Sequence, residues 1–250
     1  MKYMRLLFVL LMISITITGC SNKQDVTLQN SDQKILVESF IEYYNKGYAD
    51  SVIGLLSKDI VTEQKLGDQE SKSIDEKSVH ESIKYNILWN HNIKILKWTN
   101  TSSNIISAQI EESSDEYKII GINTIQAEMT FEIKDGKIIK IRTVIDKSTV
   151  DQISSKASGG IGVKVEVSKN FITINEIATG LPADKAGLKK GDMITAIDGI
   201  NCSAMREGEG LLRLRGPINS KVTLTISRGG DEKPFDIVVI REDLSKAVEN

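Results

Sequence analysis

Cysteine and histidine are scarce in this sequence, at two residues each among 250. His80 and His91 lie far from Cys202, so no cysteine–histidine arrangement for nucleophilic catalysis is visible, and no spacing suggests a metal site. A basic excess is also missing. The formal net charge is -2, whereas gripping duplex phosphates needs a basic face, so nucleic acid is not expected as a partner. The longest apolar run, Leu6 to Thr18, falls short of the roughly 20 residues of a spanning helix. What remains is an ordinary globular composition, 40% hydrophobic and 26% charged, with room for one large domain or two small ones.

The first twenty residues read as a secretory leader. Lys2 and Arg5 supply the positive start, the apolar run follows, and no acidic residue precedes Asp25. The run closes on Ile17-Thr18-Gly19-Cys20, which resembles a bacterial lipobox. The resemblance implies an acylated (palmitate-bearing) Cys20 as the mature N-terminus, with the protein lipid-anchored on the extracytoplasmic face of the cell membrane. An unlipidated leader or an uncleaved anchor are the alternatives. With Cys20 acylated, Cys202 has no disulfide partner and is expected to be a buried apolar side chain.

Residues 21–30 are polar and read as a tether. From Ser31 the period is helical: Ile35, Leu36, Phe40, Tyr43 and Tyr44 share a face, with Ser31 as cap and Gly47 as stop. Val52, Leu55 and Leu56 suggest a second helix. Thr62 to Ser73 reads as a loop, and a third helix carries Val79, Ile83 and Ile87, with Ser78 and Glu81 spaced as a capping box. Beyond Asn90 the period becomes two. Ile93 and Ile95 form one such set, Ile106, Ala108 and Ile110 another, and Ala127, Met129, Phe131 and Ile133 a third. Asp135-Gly136 then turns the chain into Ile139, Ile141, Thr143 and Ile145. Helices followed by an antiparallel meander give an α+β domain over 31–146, with helices on one face of a curved sheet. Polar residues 147–158 read as a linker.

A second domain is expected over 159–243, leaving 244–250 as a tail. It opens on Gly159-Gly160-Ile161-Gly162-Val163, a glycine loop whose N–H groups can converge on a carboxylate. No helix follows, as a nucleotide site would require. Val163, Val165 and Val167 alternate with Lys164 and Glu166 as a half-buried strand, the arrangement that captures a chain terminus and pairs with the peptide behind it. Pro182 opens a single helical turn that Gly187 closes, Met193 to Ile197 form a strand, and Asp198-Gly199 turns the chain.

The order of helices and strands over 31–146, with its closing pair Phe131-Glu132-Ile133-Lys134-Asp135-Gly136-Lys137-Ile138, resembles the nuclear transport factor 2-like (SnoaL-like) fold. That resemblance implies a cone of sheet and helix around a pocket, catalytic in some members. Tyr43, Tyr44, His80, Tyr85, His91 and Glu128 are available there, but no spacing singles out an acid–base pair. The segment Pro182-Ala183-Asp184-Lys185-Ala186-Gly187-Leu188-Lys189-Lys190-Gly191-Asp192-Met193-Ile194, with Ala196-Ile197-Asp198-Gly199 and Leu214-Arg215-Gly216-Pro217, resembles the PDZ domain of bacterial C-terminal processing (tail-specific) peptidases. The resemblance implies that Gly160, Ile161, Gly162 and Val163 hold a terminal carboxylate and that Lys164 and Val165 continue the pairing strand. The helix after Cys202 is then expected to form the other wall; helical spacing puts Arg206, Gly210 and Arg213 along the groove and Leu211 and Leu214 towards the core, an assignment that a one-residue shift reverses. The peptidase family continues into a Ser–Lys catalytic domain, for which the sequence up to Asn250 has no room, so no catalytic residue is assigned.

The expected protein is therefore an anchored, non-enzymatic adaptor or scaffold in envelope quality control. Its partners are protein C-termini or extended peptides and a separate protease, and it carries no cofactor. The alternative is an enzyme or small-ligand sensor with its pocket in the first domain and the PDZ domain as regulator.

Overall fold

The structure, a computed structural model, describes residues 30–102, 104–229 and 233–244. The leader, Cys20, the tether before Asn30 and most of the tail lie outside the described residues.

Val37, Phe40, Ile41 and Tyr44 recur at helical spacing along α1 (Asn30–Asn45) and are buried. This stripe is rotated from the expected one, leaving Ile35 57% exposed, and Ser31 sits inside the first turn instead of capping it. α2 (Ala49–Gly54) buries Val52, while Leu56 already begins β1 (Leu56–Leu66). The expected loop at Thr62–Ser73 is a hairpin of β1 and β2 (Gln69–Ser73). β1 buries only Leu56 and Ile60, both near its start, so the period-two signal is lost further out. Charge pairs hold the wet part together: Glu63 meets Lys140 at 3.0 Å, and Arg142 meets Glu70 at 3.3 Å. α3 (Glu76–Leu88) starts one turn earlier than expected, because Asp75, not Ser78, caps it and accepts from the Ser78 N–H at 2.8 Å.

β3 (Asn92–Ser102), β4 (Ile105–Ser113), β5 (Ile125–Lys134) and β6 (Lys137–Ile145) complete a six-stranded sheet in the order β2-β1-β6-β5-β4-β3. Neighbours are antiparallel except β1 and β6, which run parallel, so the sheet is mixed where an all-antiparallel one was expected. A bulge opposite Glu132–Ile133 turns Ile138 inward in place of Ile139, ahead of Ile141 and Ile145. The helices pack on one face of this sheet, where Phe40 meets Phe131 edge-on at 5.4 Å between centroids. A short helix, α4 (Asp115–Ile119), lies between β4 and β5 and is capped by Ser114.

The polar stretch expected to be a linker is α5 (Lys147–Ala157). Asp146 caps it, held at about 2 by bonds from Ser148 and Thr149, and Val150 and Ile153 lean on the first core. Two apolar residues spaced by three form too narrow a face to stand out in the sequence.

The second core belongs to a five-strand path, β13-β12-β10-β9-β8, with a small ribbon beside it. Its elements are β7 (Gly159–Gly160), β8 (Val163–Val167), β9 (Ile172–Ile177), α6 (Pro182–Lys185) and β10 (Met193–Ile197). They continue with β11 (Ile200–Asn201), α7 (Glu209–Leu214), β12 (Lys221–Ser227), β13 (Phe235–Ile240) and β14 (Glu242–Asp243). β7 pairs with β14, and β8 is the last strand of its path, so among the described residues its outer backbone edge has no partner strand.

Candidate functional site

The glycine loop is fixed from behind by its own carbonyls. Ile161 accepts from the Ala183 N–H at 2.8 Å and Gly162 from the Ala178 N–H at 3.0 Å, while Gly159 and Gly216 exchange N–H and carbonyl. Gly162 has φ +76°, and a Cβ there would lie 2.6 Å from Leu181 Cβ, so neither the backbone nor the space admits another residue. Ile161 is buried in the second core, which anchors the loop against the interior of the second domain.

From this loop β8 runs outward with Val163 and Val165 half-buried against the core. Lys164 projects from the other face and pairs with Glu176 of β9 at 2.7 Å, so it does not line the groove. Beyond Val167 the space between β8–β9 and α7 opens into a groove of about 530 Å³. Val167, Ile172, Met205, Gly208, Gly210 and Leu211 line it, with Lys169, Arg206 and Glu207 among its charged residues. Gly210 forms part of the lining for a steric reason: a Cβ there would stand 2.4 Å from Ile172 Cδ1.

The structure brings Gly160, Ile161, Gly162, Val163 and Val165 to the loop and edge strand, and Arg206 and Gly210 to the groove. Two expectations for the helix fail. Leu211, expected in the core, is 45% exposed and lines the groove. Arg213, expected in the groove, donates to Glu209 Oε1 at 2.6–2.8 Å. The cause is the break before the helix. Cys202–Ala204 form a separate 3-10 turn, and Gly208 (φ +82°) starts a six-residue α7, so one helical phase cannot run from Arg206 to Leu214. Cys202 is buried as expected; burial pushes its thiol up, and it donates to the Ile194 carbonyl at 3.3 Å.

Sequence reasoning missed two arginines. Arg215, inside the Leu-Arg-Gly-Pro motif, is exposed and reaches Gly160, with Nη1 3.6 Å from where a Cβ on that glycine would sit. It places a cation beside the loop. Arg241 is 6% exposed and ties down the end of α7 through the Arg213 and Leu214 carbonyls.

Of the first-domain candidates, the structure gathers Tyr44, Tyr85 and His91 and leaves Tyr43, His80 and Glu128 elsewhere. His91 Nδ1 lies 2.6 Å from Glu112 and Nε2 2.9 Å from Glu116, two carboxylates that carried no sequence signal. A cavity of about 180 Å³ adjoins it and Tyr44. With a carboxylate on each nitrogen, both ring protons are engaged, which suits an imidazolium and leaves no lone pair for a general base. Burial alone would lower the pKa of His91, but the two carboxylate hydrogen bonds outweigh it, and the net shift is upward. Burial and the same carboxylates push Tyr44 and Tyr117 up, and Tyr85, donating to Glu116 at 2.8 Å, is pushed up to about 12 by burial first.

The His91 contribution to stability is complete below about 6.5, where the unfolded histidine is also protonated, and is lost as pH rises through the higher folded value. The urea midpoint should therefore fall with rising pH above that point, and His91→Gln should flatten the slope. Parallel pH profiles for the two proteins would contradict the assignment. Among the described residues no group of three or more His, Cys, Asp or Glu side chains is arranged for a metal ion.

This geometry of glycine loop, free edge strand and facing helix defines a PDZ domain, and residues 159–239 match the PDZ domain family. Over 84 residues the chain is 39% identical to the carboxy-terminal-processing protease of Bartonella bacilliformis, a match covering 34% of this chain and 19% of that protein. It is 35% identical over 88 residues to the carboxyl-terminal-processing protease of Synechocystis, covering 34% and 21%. The chain thus spans about a fifth of the length of these curated relatives. A crystal structure of an NTF2-like protein of unknown function from Cytophaga hutchinsonii aligns with 51% of this chain and 96% of its own, at 13% identity and a TM-score of 0.38.

Proposed function

We propose that the chain is a membrane-anchored extracytoplasmic binding protein whose PDZ domain takes up C-terminal or extended segments of partner proteins. It holds them as an adaptor or scaffold for a separate protease and does not cleave them itself. The observation that carries this reading is the unpartnered edge of β8, which runs from a rigid glycine loop to an apolar groove. An extended peptide adding to that edge gains main-chain hydrogen bonds, while the side chains facing Val163, Val165 and Leu211 set its sequence preference. The likeness to processing proteases supports the choice of C-termini as ligands. The lipid anchor at Cys20 and the envelope setting rest on the leader sequence.

Amide hydrogen exchange on the full chain tests the binding mode. A pool of decapeptides with free C-termini and apolar last residues should raise protection at the amides of Val163–Val167. Protection gained at another sheet edge, such as β13, or nowhere, would sink the reading.

A further inference from the structure

The rim of the groove is not completed by the PDZ domain alone. Arg206, which lines the groove, places Nη1 2.7 Å from Asp115 Oδ2 of α4, with its guanidinium over the Trp89 ring at 5.2 Å. The first domain fixes this carboxylate from several sides. The Asp115 backbone N–H donates to the Trp89 carbonyl at 2.9 Å, Asn90 donates to Oδ2 at 2.6 Å, and Lys118 donates to Oδ1 at 3.0 Å. Donors from Asn90, Lys118 and Arg206 hold its pKa well below the usual carboxylate range, so it stays charged at any working pH. The pair is partly sheltered, with the two side chains 34% and 24% exposed. Lys169 and Glu207, the other charges of the groove, are of opposite sign.

We infer that Asp115, supplied by the first domain, is a specificity-determining residue of the peptide groove: by neutralising Arg206 it keeps the end of the groove farthest from the glycine loop indifferent to acidic residues. The inference rests on the peptide-binding reading above. Without Asp115 the guanidinium would lose the carboxylate it pairs with, and an acidic peptide side chain would take that place. Only part of a bound peptide can report this. β8 advances by about 3.3 Å per residue, so its far end lies roughly 13 Å from the loop. A peptide anchored by its terminal carboxylate brings its fifth and sixth residues from the end to Arg206, and a tetrapeptide stops short of it.

The test uses the full chain and three probes with free C-termini. Two decapeptides share the same apolar last four residues and carry either Glu-Glu or Gln-Gln at the fifth and sixth positions from the end. The third probe is the shared tetrapeptide. The wild type should bind the two decapeptides within twofold of each other. Asp115→Asn should bind the Glu-Glu form about fivefold more tightly than the Gln-Gln form, a preference that fades in high salt and vanishes in Asp115→Asn/Arg206→Gln. Tetrapeptide affinity should be the same in wild type and Asp115→Asn, which a general structural role for Asp115 would not give. A wild-type preference for Glu-Glu overturns the inference without recourse to any variant. So does an Asp115→Asn protein that binds both decapeptides alike. If the wild type binds none of the three probes, the peptide-binding reading falls and takes this inference with it; if it binds them, that reading stands whatever Asp115→Asn does.

Discussion

Replacing Arg241 by methionine should lower the stability of the PDZ domain by about 3–4 kcal/mol, although no peptide contact is removed. Arg241 is 6% exposed. It donates to the Leu214 carbonyl at 3.2 Å, Ser220 Oγ at 2.9 Å, the Lys221 carbonyl at 2.8 Å and the Arg213 carbonyl at 2.6 Å. Burial lowers its pKa, with the charge of Asp198 partly offsetting this. Methionine keeps most of the apolar stem, so the loss reports the acceptors left dry, at roughly 1–3 kcal/mol for a buried unsatisfied group with partial relaxation of the rest. Two of those acceptors are the last carbonyls of α7, so the same change should loosen the helix that walls the groove. The peptide affinity should drop together with the midpoint of chemical unfolding, read by methyl NMR signals of the second core. A loss below 1 kcal/mol, with an unchanged groove, would show that the network is incidental.

Nothing in the sequence around Arg241 announced this role, because its partners, three backbone carbonyls and the Ser220 hydroxyl, lie twenty or more residues away. The same limit explains other differences between expectation and structure. The β-sets at Ile106–Ile110 and Ala127–Ile133 were legible, since every second residue of each is apolar and faces the core. The Leu56–Ser73 hairpin was not, since most of it is wet on both faces and its partner β6 lies some eighty residues on. The PDZ segment was legible from its turn residues, whose backbone demands are local: Gly162, Pro182 and the Asp198-Gly199 pair stand where expected. The phase of α7 was not legible, because a glycine at positive φ resets it and the sequence does not state where. Arg206 shows the sharpest gap. Its place in the groove could be read, but its carboxylate partner sits ninety-one residues earlier in a helix that no periodicity revealed.

A terminal carboxylate held by the loop at Gly160–Val163 is the central element of the proposed function. Hydrogen bonds from N–H groups to a charged acceptor contribute roughly 1.5–3 kcal/mol, and the Arg215 cation beside Gly160 adds to the local positive potential. Isothermal titration of the full chain with one decapeptide, first as the free acid and then as the C-terminal amide, measures that contribution directly. The free acid should bind at least tenfold more tightly. Equal affinity for acid and amide, or no heat from either, would contradict the claim that this loop reads the ends of other chains.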